Sequence, residues 1–264
     1  MKLAATPALF LFCAILGACA TVESNSKMSG NQKIQVFMAG DSTMAIKDPK
    51  DYPETGWGVP FATFFNNSIN VINLAKNGRS TRTFIEEGLW KQITDNLRPG
   101  DFVFIQFGHN DESELKVDRY TTPSQYRENI NRFINDVESK KAHAILCTPV
   151  VRRHFDQNGI LKKTHPYADI VRKIAKQHDE VVFIDMEKIT EEYFQGLGVK
   201  DSIIRFMHME PGLHPNYPDG MEDDTHYNEL GAREVAQLAL LELKRIEHPL
   251  TKQLRDVDPK HLRK

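Results

Sequence analysis

The sequence predicts an α/β fold, a three-layer α/β/α sandwich around a central five-stranded parallel sheet. Two observations carry this. From residue 33 onward, short apolar runs alternate with segments of helical period. Strand, helix, strand in repetition implies a parallel sheet with helices on both faces. The first three apolar runs are also each followed by a polar, glycine-containing motif. In an open parallel sheet, ligands bind outside the carboxyl ends of the strands. Those three loops should therefore share one edge.

The expected strands are Ile34 to Ala39, Ile69 to Leu74, Phe102 to Phe107, Ala142 to Cys147 and Val181 to Ile184. Each is short, largely apolar and mostly bounded by Gly, Pro, Asp or Asn. A helix is announced at Thr122-Pro123-Ser124-Gln125, which supplies a cap, a proline at the first helical position and a capping-box partner. Tyr126, Ile130, Phe133, Ile134 and Val137 then share one face. Further helices are expected over Thr164 to His178 and Glu229 to Ile246, the latter burying Val235, Leu238, Ala239 and Ile246. No internal repeat or interior linker interrupts this order.

The first residues read as a targeting segment. Lys2 precedes the apolar stretch Leu9 to Leu16, followed by Gly17-Ala18-Cys19. That is a charged start, a short hydrophobic region and small residues before a cleavage point. The stretch is too short for a spanning helix. Leu16-Gly17-Ala18-Cys19 resembles a bacterial lipobox, which implies cleavage before Cys19 and lipidation of its thiol. Residues 1–18 are then a lipoprotein signal peptide, and 19–32 a polar tether. Residues 33–248 form one domain, and 249–264 a solvated, frayed polar tail. Ala20 after the cysteine implies the outer membrane, with the domain facing the periplasm or the cell surface. Cys147, in an apolar run, is expected to be a buried free thiol. A formal net charge of −2 gives no general attraction to nucleic acid.

Candidate chemistry sits in four blocks. Gly40-Asp41-Ser42-Thr43 places a hydroxyl at a strand-to-loop turn, where Ser42 needs a base to become a useful nucleophile. His226 suits that role, since imidazole exchanges protons near neutrality. Asp223 or Asp224 could orient it, and spacing alone does not choose between them. A developing oxyanion needs several donors. The Ser42 N–H, the Gly78 N–H and the Asn110 side-chain amide are available. Taken singly, each residue has a plainer reading: Ser42 as a helix cap, Gly78 as an Asn-Gly turn, Asn110 bonding its own backbone, His226 as a loop histidine.

Taken together, Gly40-Asp41-Ser42-Thr43, Asn77-Gly78-Arg79-Ser80, Gly108-His109-Asn110-Asp111 and Asp223-Asp224-Thr225-His226 resemble the SGNH (GDSL-like) hydrolases, and within them most of all the rhamnogalacturonan acetylesterases. The resemblance runs from about Lys33 to about Ile246. It implies the flavodoxin-like five-stranded fold already expected. It also implies Ser42 as nucleophile, Ser42, Gly78 and Asn110 as oxyanion donors, His226 as base, and Asp223 rather than Asp224 as its carboxylate. Arg79, His109 and His214 are the candidate substrate-binding residues. Arg79, Arg82, Arg152, Arg153, His154 and His214 in the flanking loops suit an acidic sugar polymer. The stretch His208 to Asp219 reads as a substrate-side insertion. The expected protein is a monomeric serine esterase without metal or cofactor, acting on an acetylated polysaccharide or oligosaccharide and meeting the membrane only through its lipid. The rival readings are an acetylxylan or other carbohydrate esterase, a lipase or thioesterase of the same fold, a glycan-binding lipoprotein, and a metal hydrolase built on His208, Glu210, His214, Asp223, Asp224 and His226.

Overall fold

The computed structural model describes residues 33–255. The expected signal peptide, Cys19 and the tether lie outside the described residues, as does the tail from 256 on. Within them the order is β1 (Ile34–Gly40), α1 (Gly58–Thr63), β2 (Ile69–Asn73), α2 (Thr81–Glu86), α3 (Leu89–Asn96), β3 (Phe102–Gln106), α4 (Pro123–Ser139), β4 (His143–Cys147), α5 (Ala168–Ala175), β5 (Val182–Ile184), α6 (Met186–Ser202), β6 (Phe206–Met209), β7 (Met221–Tyr227) and α7 (Glu229–Arg245).

The five expected strands form one sheet in the order β2-β1-β3-β4-β5, and every neighbouring pair is parallel. Side chains alternate across a strand, so β1 feeds two cores. Val36 and Met38 face one layer, with Trp57, Phe61, Met186, Phe194, Val235, Ala239 and Leu243. Phe37 and Ala39 face the other, with Phe84, Trp90, Ile130, Phe133, Ile134, Val171 and Ile174. Helices α1, α6 and α7 therefore cover one face, and α2 to α5 the other. This is the three-layer sandwich the alternation predicts.

Local chemistry sets the helix ends. Thr122 caps α4, and Thr122 and Gln125 complete the capping box. The second expected helix is shorter than the pattern suggested, starting at Ala168. Pro166 accounts for that, because the residue before a proline is pushed out of the helical region. In α7 the buried stripe is Val235, Ala236, Ala239, Leu240 and Leu243. Ile246, expected on that face, follows the last helical residue and is exposed. Cys147 is a buried free thiol, and burial pushes its pKa up.

Two features depart from the sequence reading. The His208–Asp219 stretch lies within an antiparallel hairpin of β6 and β7, which places the Asp223–His226 block on a strand rather than in a loop. The tail from Pro249 is also anchored at its start. Residues Pro249–Gln253 form a 3-10 helix with Leu250 buried, and Leu254 bridges to Phe65. The Arg255 N–H donates to the Phe64 carbonyl at 2.8 Å. Composition pointed to solvent because Lys252 and Arg255 surround the apolar anchors. The folded domain thus continues past residue 248. Leu250→Ala should lower unfolding free energy by about 2–5 kcal/mol, the usual range for emptying a buried leucine site. Urea unfolding would check it, and a loss below about 0.5 kcal/mol would mean the tail does not hold the domain.

Candidate active site

β1 ends at Gly40, where a Cβ would come within 3.0 Å of the Gln106 carbonyl on β3. The chain turns immediately. Met44 N–H donates to the Asp41 carbonyl, and Ala45 N–H to that of Ser42. Below this turn runs a buried polar chain. Asp41 Oδ1 accepts from Thr43 N at 3.0 Å and Thr43 Oγ1 at 2.8 Å. Gln106 Nε2 donates to Thr43 Oγ1, and Trp57 Nε1 donates to Gln106 Oε1, both at 2.8 Å. Asp41 Oδ2 lies 3.0 Å from His109 Nδ1. Burial alone would raise the Asp41 pKa. The His109 ring and the Thr43 donors outweigh it and hold Asp41 at about 2. Burial lowers the His109 pKa, so a neutral ring donates its Nδ1–H to an ionised Asp41.

Ser42 is presented on this platform. Its Oγ–H donates to His226 Nε2 at 2.8 Å. His226 Nδ1–H donates to Asp223 Oδ2 at 2.7 Å. Asp223 Oδ1 accepts from the backbone N–H groups of Thr225 at 2.6 Å and His226 at 3.0 Å. Desolvation would raise the Asp223 pKa, but His226 and those two amides prevail and hold it at about 2. Asp224 points elsewhere. Its Oδ1 is 2.8 Å from His208 Nε2 and 2.8 Å from Arg153 Nη1. The residues left open by spacing are thus separated by geometry, with Asp223 bonded to His226 and Asp224 to its own partners.

The loops after β2 and β3 are tied together. Gly78 has φ +76°, a left-handed conformation that glycine adopts at no steric cost. A Cβ there would also approach Arg119 Nη1 to 3.0 Å. Asn110 Nδ2 donates to the Arg79 carbonyl at 3.0 Å, which leaves the second hydrogen of that amide for another acceptor. Asp111 accepts from Thr81 N at 2.9 Å and from Thr81 Oγ1 at 2.6 Å. Full burial raises its pKa to about 7.

The candidate substrate residues fare unequally. Arg79 lines a pocket of about 450 Å³ with Asn77, Gly78, Thr83, Glu87, Asp118 and Arg119. Its Nε and Nη2 are held by Glu87, and its Nη1 by the Asn77 carbonyl. His214 sits at the hairpin tip, its ring 5.6 Å from that of Tyr52. His109, by contrast, is 6% exposed. It supports Asp41 from below, and burial keeps it from a ligand in the cleft. Arg153 is likewise a fastening, bonding Ser202, Asp224 and the Val199 carbonyl. Arg82 bonds the carbonyls of Val117, Asp118 and Tyr120. Basic residues in these loops serve loop geometry more than the acidic-polymer reading supposed. Among the described residues, no three His, Cys, Asp or Glu side chains form a cation cage.

One pair escaped the sequence reading. Lys47 Nζ contacts the Ser42 carbonyl at 2.5 Å and Asn77 Oδ1 at 2.8 Å. It also pairs with Glu54 Oε1 at 2.6 Å. No local motif marks either residue. The Gly56-Trp57-Gly58 segment that follows was the only available signal, since a Cβ at Gly56 would overlap the Ala45 backbone.

A serine hydroxyl bonded to an imidazole, itself bonded to a carboxylate, is the arrangement of a serine hydrolase. Residues 38–234 match the family described as GDSL-like Lipase/Acylhydrolase. The chain belongs to that family and is a carboxylic ester hydrolase. It is 39% identical over 218 residues to rhamnogalacturonan acetylesterase RhgT of Bacillus subtilis, covering 82% of this chain and 92% of the relative. Among solved structures it is similar to protein YXIM of Bacillus subtilis, with a TM-score of 0.71 and 26% identity. That match covers 83% of this chain and 58% of the longer YXIM chain. It also shares its fold with Axe2, an acetylxylan esterase from Geobacillus stearothermophilus, at a TM-score of 0.55 and 15% identity, covering 85% of this chain and 97% of Axe2.

Asp223→Asn should lower kcat about 10³–10⁴-fold, because the amide favours the wrong imidazole tautomer. Asp224→Asn, which cuts only the His208 and Arg153 bonds, should stay within about tenfold of wild type. Steady-state hydrolysis of a small acetyl ester measures both, and equal losses would contradict the division of labour.

Proposed function

We propose that this protein removes O-acetyl groups from a plant cell-wall polysaccharide, rhamnogalacturonan in the first place, through an acyl-enzyme on Ser42. The observation that carries the reading is the Ser42–His226–Asp223 relay in a chain 39% identical to a rhamnogalacturonan acetylesterase over nearly that protein's whole length. His226 Nε2 takes the Ser42 proton as Oγ attacks the acetyl carbonyl carbon. The Ser42 and Gly78 N–H groups and the Asn110 amide stabilise the tetrahedral oxyanion. Collapse breaks the bond to the sugar oxygen, which leaves with the proton from His226. Water, deprotonated by His226, then attacks the acyl carbon. Acetate departs, and the proton returns to Ser42 Oγ. None of these steps calls for a metal or cofactor.

Arg79, beside Gly78, and His214, on the hairpin tip, are the side chains assigned to the polymer. The protein acts as a monomer with one acetylated oligosaccharide or polysaccharide strand in the cleft.

Acetate release from acetylated rhamnogalacturonan and acetylated xylan, compared for wild type and Ser42→Ala, tests the reading. Release from the pectic polymer should dominate and fall by at least about 10⁴-fold in the variant. Wild-type turnover in Ser42→Ala would overturn the mechanism. Release mainly from xylan would overturn the polymer assignment alone.

The same proposal places the chain outside the cytoplasm as an outer-membrane-anchored lipoprotein, held by lipid on Cys19 and facing the periplasm or the cell surface. Its support is the lipobox-like Leu16-Gly17-Ala18-Cys19 after a short apolar stretch. Cells fed an alkyne-labelled fatty acid should label the wild-type protein and not Cys19→Ala. Labelling of both, or of neither, would remove the anchor from the account.

A further inference from the structure

We infer that Lys47 and Glu54 form a buried charge couple that positions the Ser42 turn and favours proton transfer from Ser42 to His226. The inference rests on the serine-esterase reading above. It concerns positioning residues, since neither side chain is one of the reacting groups.

The ammonium of Lys47 is committed entirely to protein. It carries three hydrogens, and three acceptors surround it: the Ser42 carbonyl at 2.5 Å, Asn77 Oδ1 at 2.8 Å and Glu54 Oε1 at 2.6 Å. Its side chain is 5% exposed. A single cation thus joins the loop after β1 to the loop after β2. Those loops supply two of the three assigned oxyanion donors, the N–H groups of Ser42 and Gly78. Asn77 immediately precedes Gly78, so Lys47 fixes both donor-bearing residues from one point.

Glu54 extends the couple to the other side of the reaction. Its Oε1 lies 4.0 Å from His226 Nε2. The backbone holds it there, with Thr55 N–H donating to the Tyr227 carbonyl at 2.8 Å, one residue past His226. Moving the proton leaves negative charge at Ser42 and positive charge at His226. The couple presents its positive end to the Ser42 peptide and its negative end to the imidazole. Its dipole therefore stabilises the charge separation of the step. Such preformed polarity costs no reorganisation when the reaction occurs.

The hairpin tip secures the same loop. Asn216 Nδ2 donates to the carbonyls of Pro49 and Tyr52, and the Tyr217 hydroxyl donates to that of Asp51. The stretch read as a substrate-side insertion thus braces the segment that carries both charges.

A plain structural clip would also hold the loops, so the test must read charge. Around His226 stand Asp223 on β7, Glu54 and Lys47 from the loop after β1, Arg152 at Thr225 Oγ1, and Asp41 beneath Ser42. The experiment uses the full chain, hydrolysis of 4-nitrophenyl acetate from pH 4 to 9, and variants Lys47→Met, Glu54→Gln and the double variant. Removing the negative charge makes imidazolium harder to form, so Glu54→Gln should move the acid limb of kcat/KM to lower pH. Removing the positive charge should move it to higher pH in Lys47→Met. The double variant should return toward the wild-type limb. Each single change should lower kcat about 10- to 100-fold with KM altered less than about threefold. Shifts in the same direction, no shift despite lost rate, or unchanged kcat would each overturn the inference. If Lys47→Met does not fold by thermal melting, Lys47→Arg replaces it. That variant keeps the charge and should keep the limb, and a displaced limb in it would count against the couple. Ser42→Ala is run beside them. Activity retained there would refute the nucleophile assignment itself, a result separate from any behaviour of Lys47 or Glu54.

Discussion

The site depends on where β1 lies in the sheet. β1 has β2 on one side and β3 on the other, and all three run parallel. From β1 the chain goes first to β2 and then returns past β1 to β3. The connections therefore diverge beyond the ends of β1 and β3 and leave a crevice there. Ser42 follows β1 and Asn110 follows β3, so both open on that crevice. Gly78, after β2, closes it from the edge, and the Asn110–Arg79 bond ties the two flanks. Parallel pairing has brought together residues far apart in the chain.

Topology alone would place the loops only coarsely. Buried hydrogen bonds refine the placement, because a polar group without a partner in a dry interior costs about 1–3 kcal/mol. Trp57, Gln106, Thr43, Asp41 and His109 form one continuous chain under the Ser42 turn. Shifting the turn by an ångström would break several of these bonds at once. Asp41 carries charge with no lysine or arginine bonded to it among the described residues, stabilised by His109 and by the Thr43 donors. The Gly-Asp-Ser-Thr block is thus one buried unit. Ser42 is its outward member, and its neighbours hold the hydroxyl's direction.

Much of this was legible in the sequence. The strands were, because a strand covered on both faces must be apolar nearly throughout, and Phe102 to Ile105 are all buried. The α4 start was, because its cap and proline are local signals. Gly78 and Asn110 could be singled out because each stands in a block that follows an expected strand and resembles the family pattern. His109, Arg153, Lys47 and Glu54 are different. Their partners are Asp41, Asp224, Asn77 and His226, each met only through the fold except where Lys47 and Glu54 meet each other. A histidine at a cleft edge and a histidine under a turn look alike in sequence. An arginine that binds sugar and one that fastens Ser202 look alike too. The side-chain type says what a group can do, but burial decides what it does.

The different contacts of Asp223 and Asp224 come from a strand and the bulge that interrupts it. Once the segment is a strand, adjacent side chains leave on opposite faces. Glu222 pairs in register with His208, and Asp223 with Met207. Asp223 lies on the same side as Thr225, and the chain then bends so that His226 Nδ1 reaches back to it. The N–H groups of Thr225 and His226 converge on the other Asp223 oxygen. These donors stabilise the ionised form, which an orienting carboxylate needs in order to hold an imidazole whose far nitrogen is taking a proton. Asp224, one residue on, leaves from the opposite face and meets Arg153 and His208. The two carboxylates meet different partners because the ladder is regular up to Asp223 and then bulges before Tyr227, which turns His226 back toward Asp223.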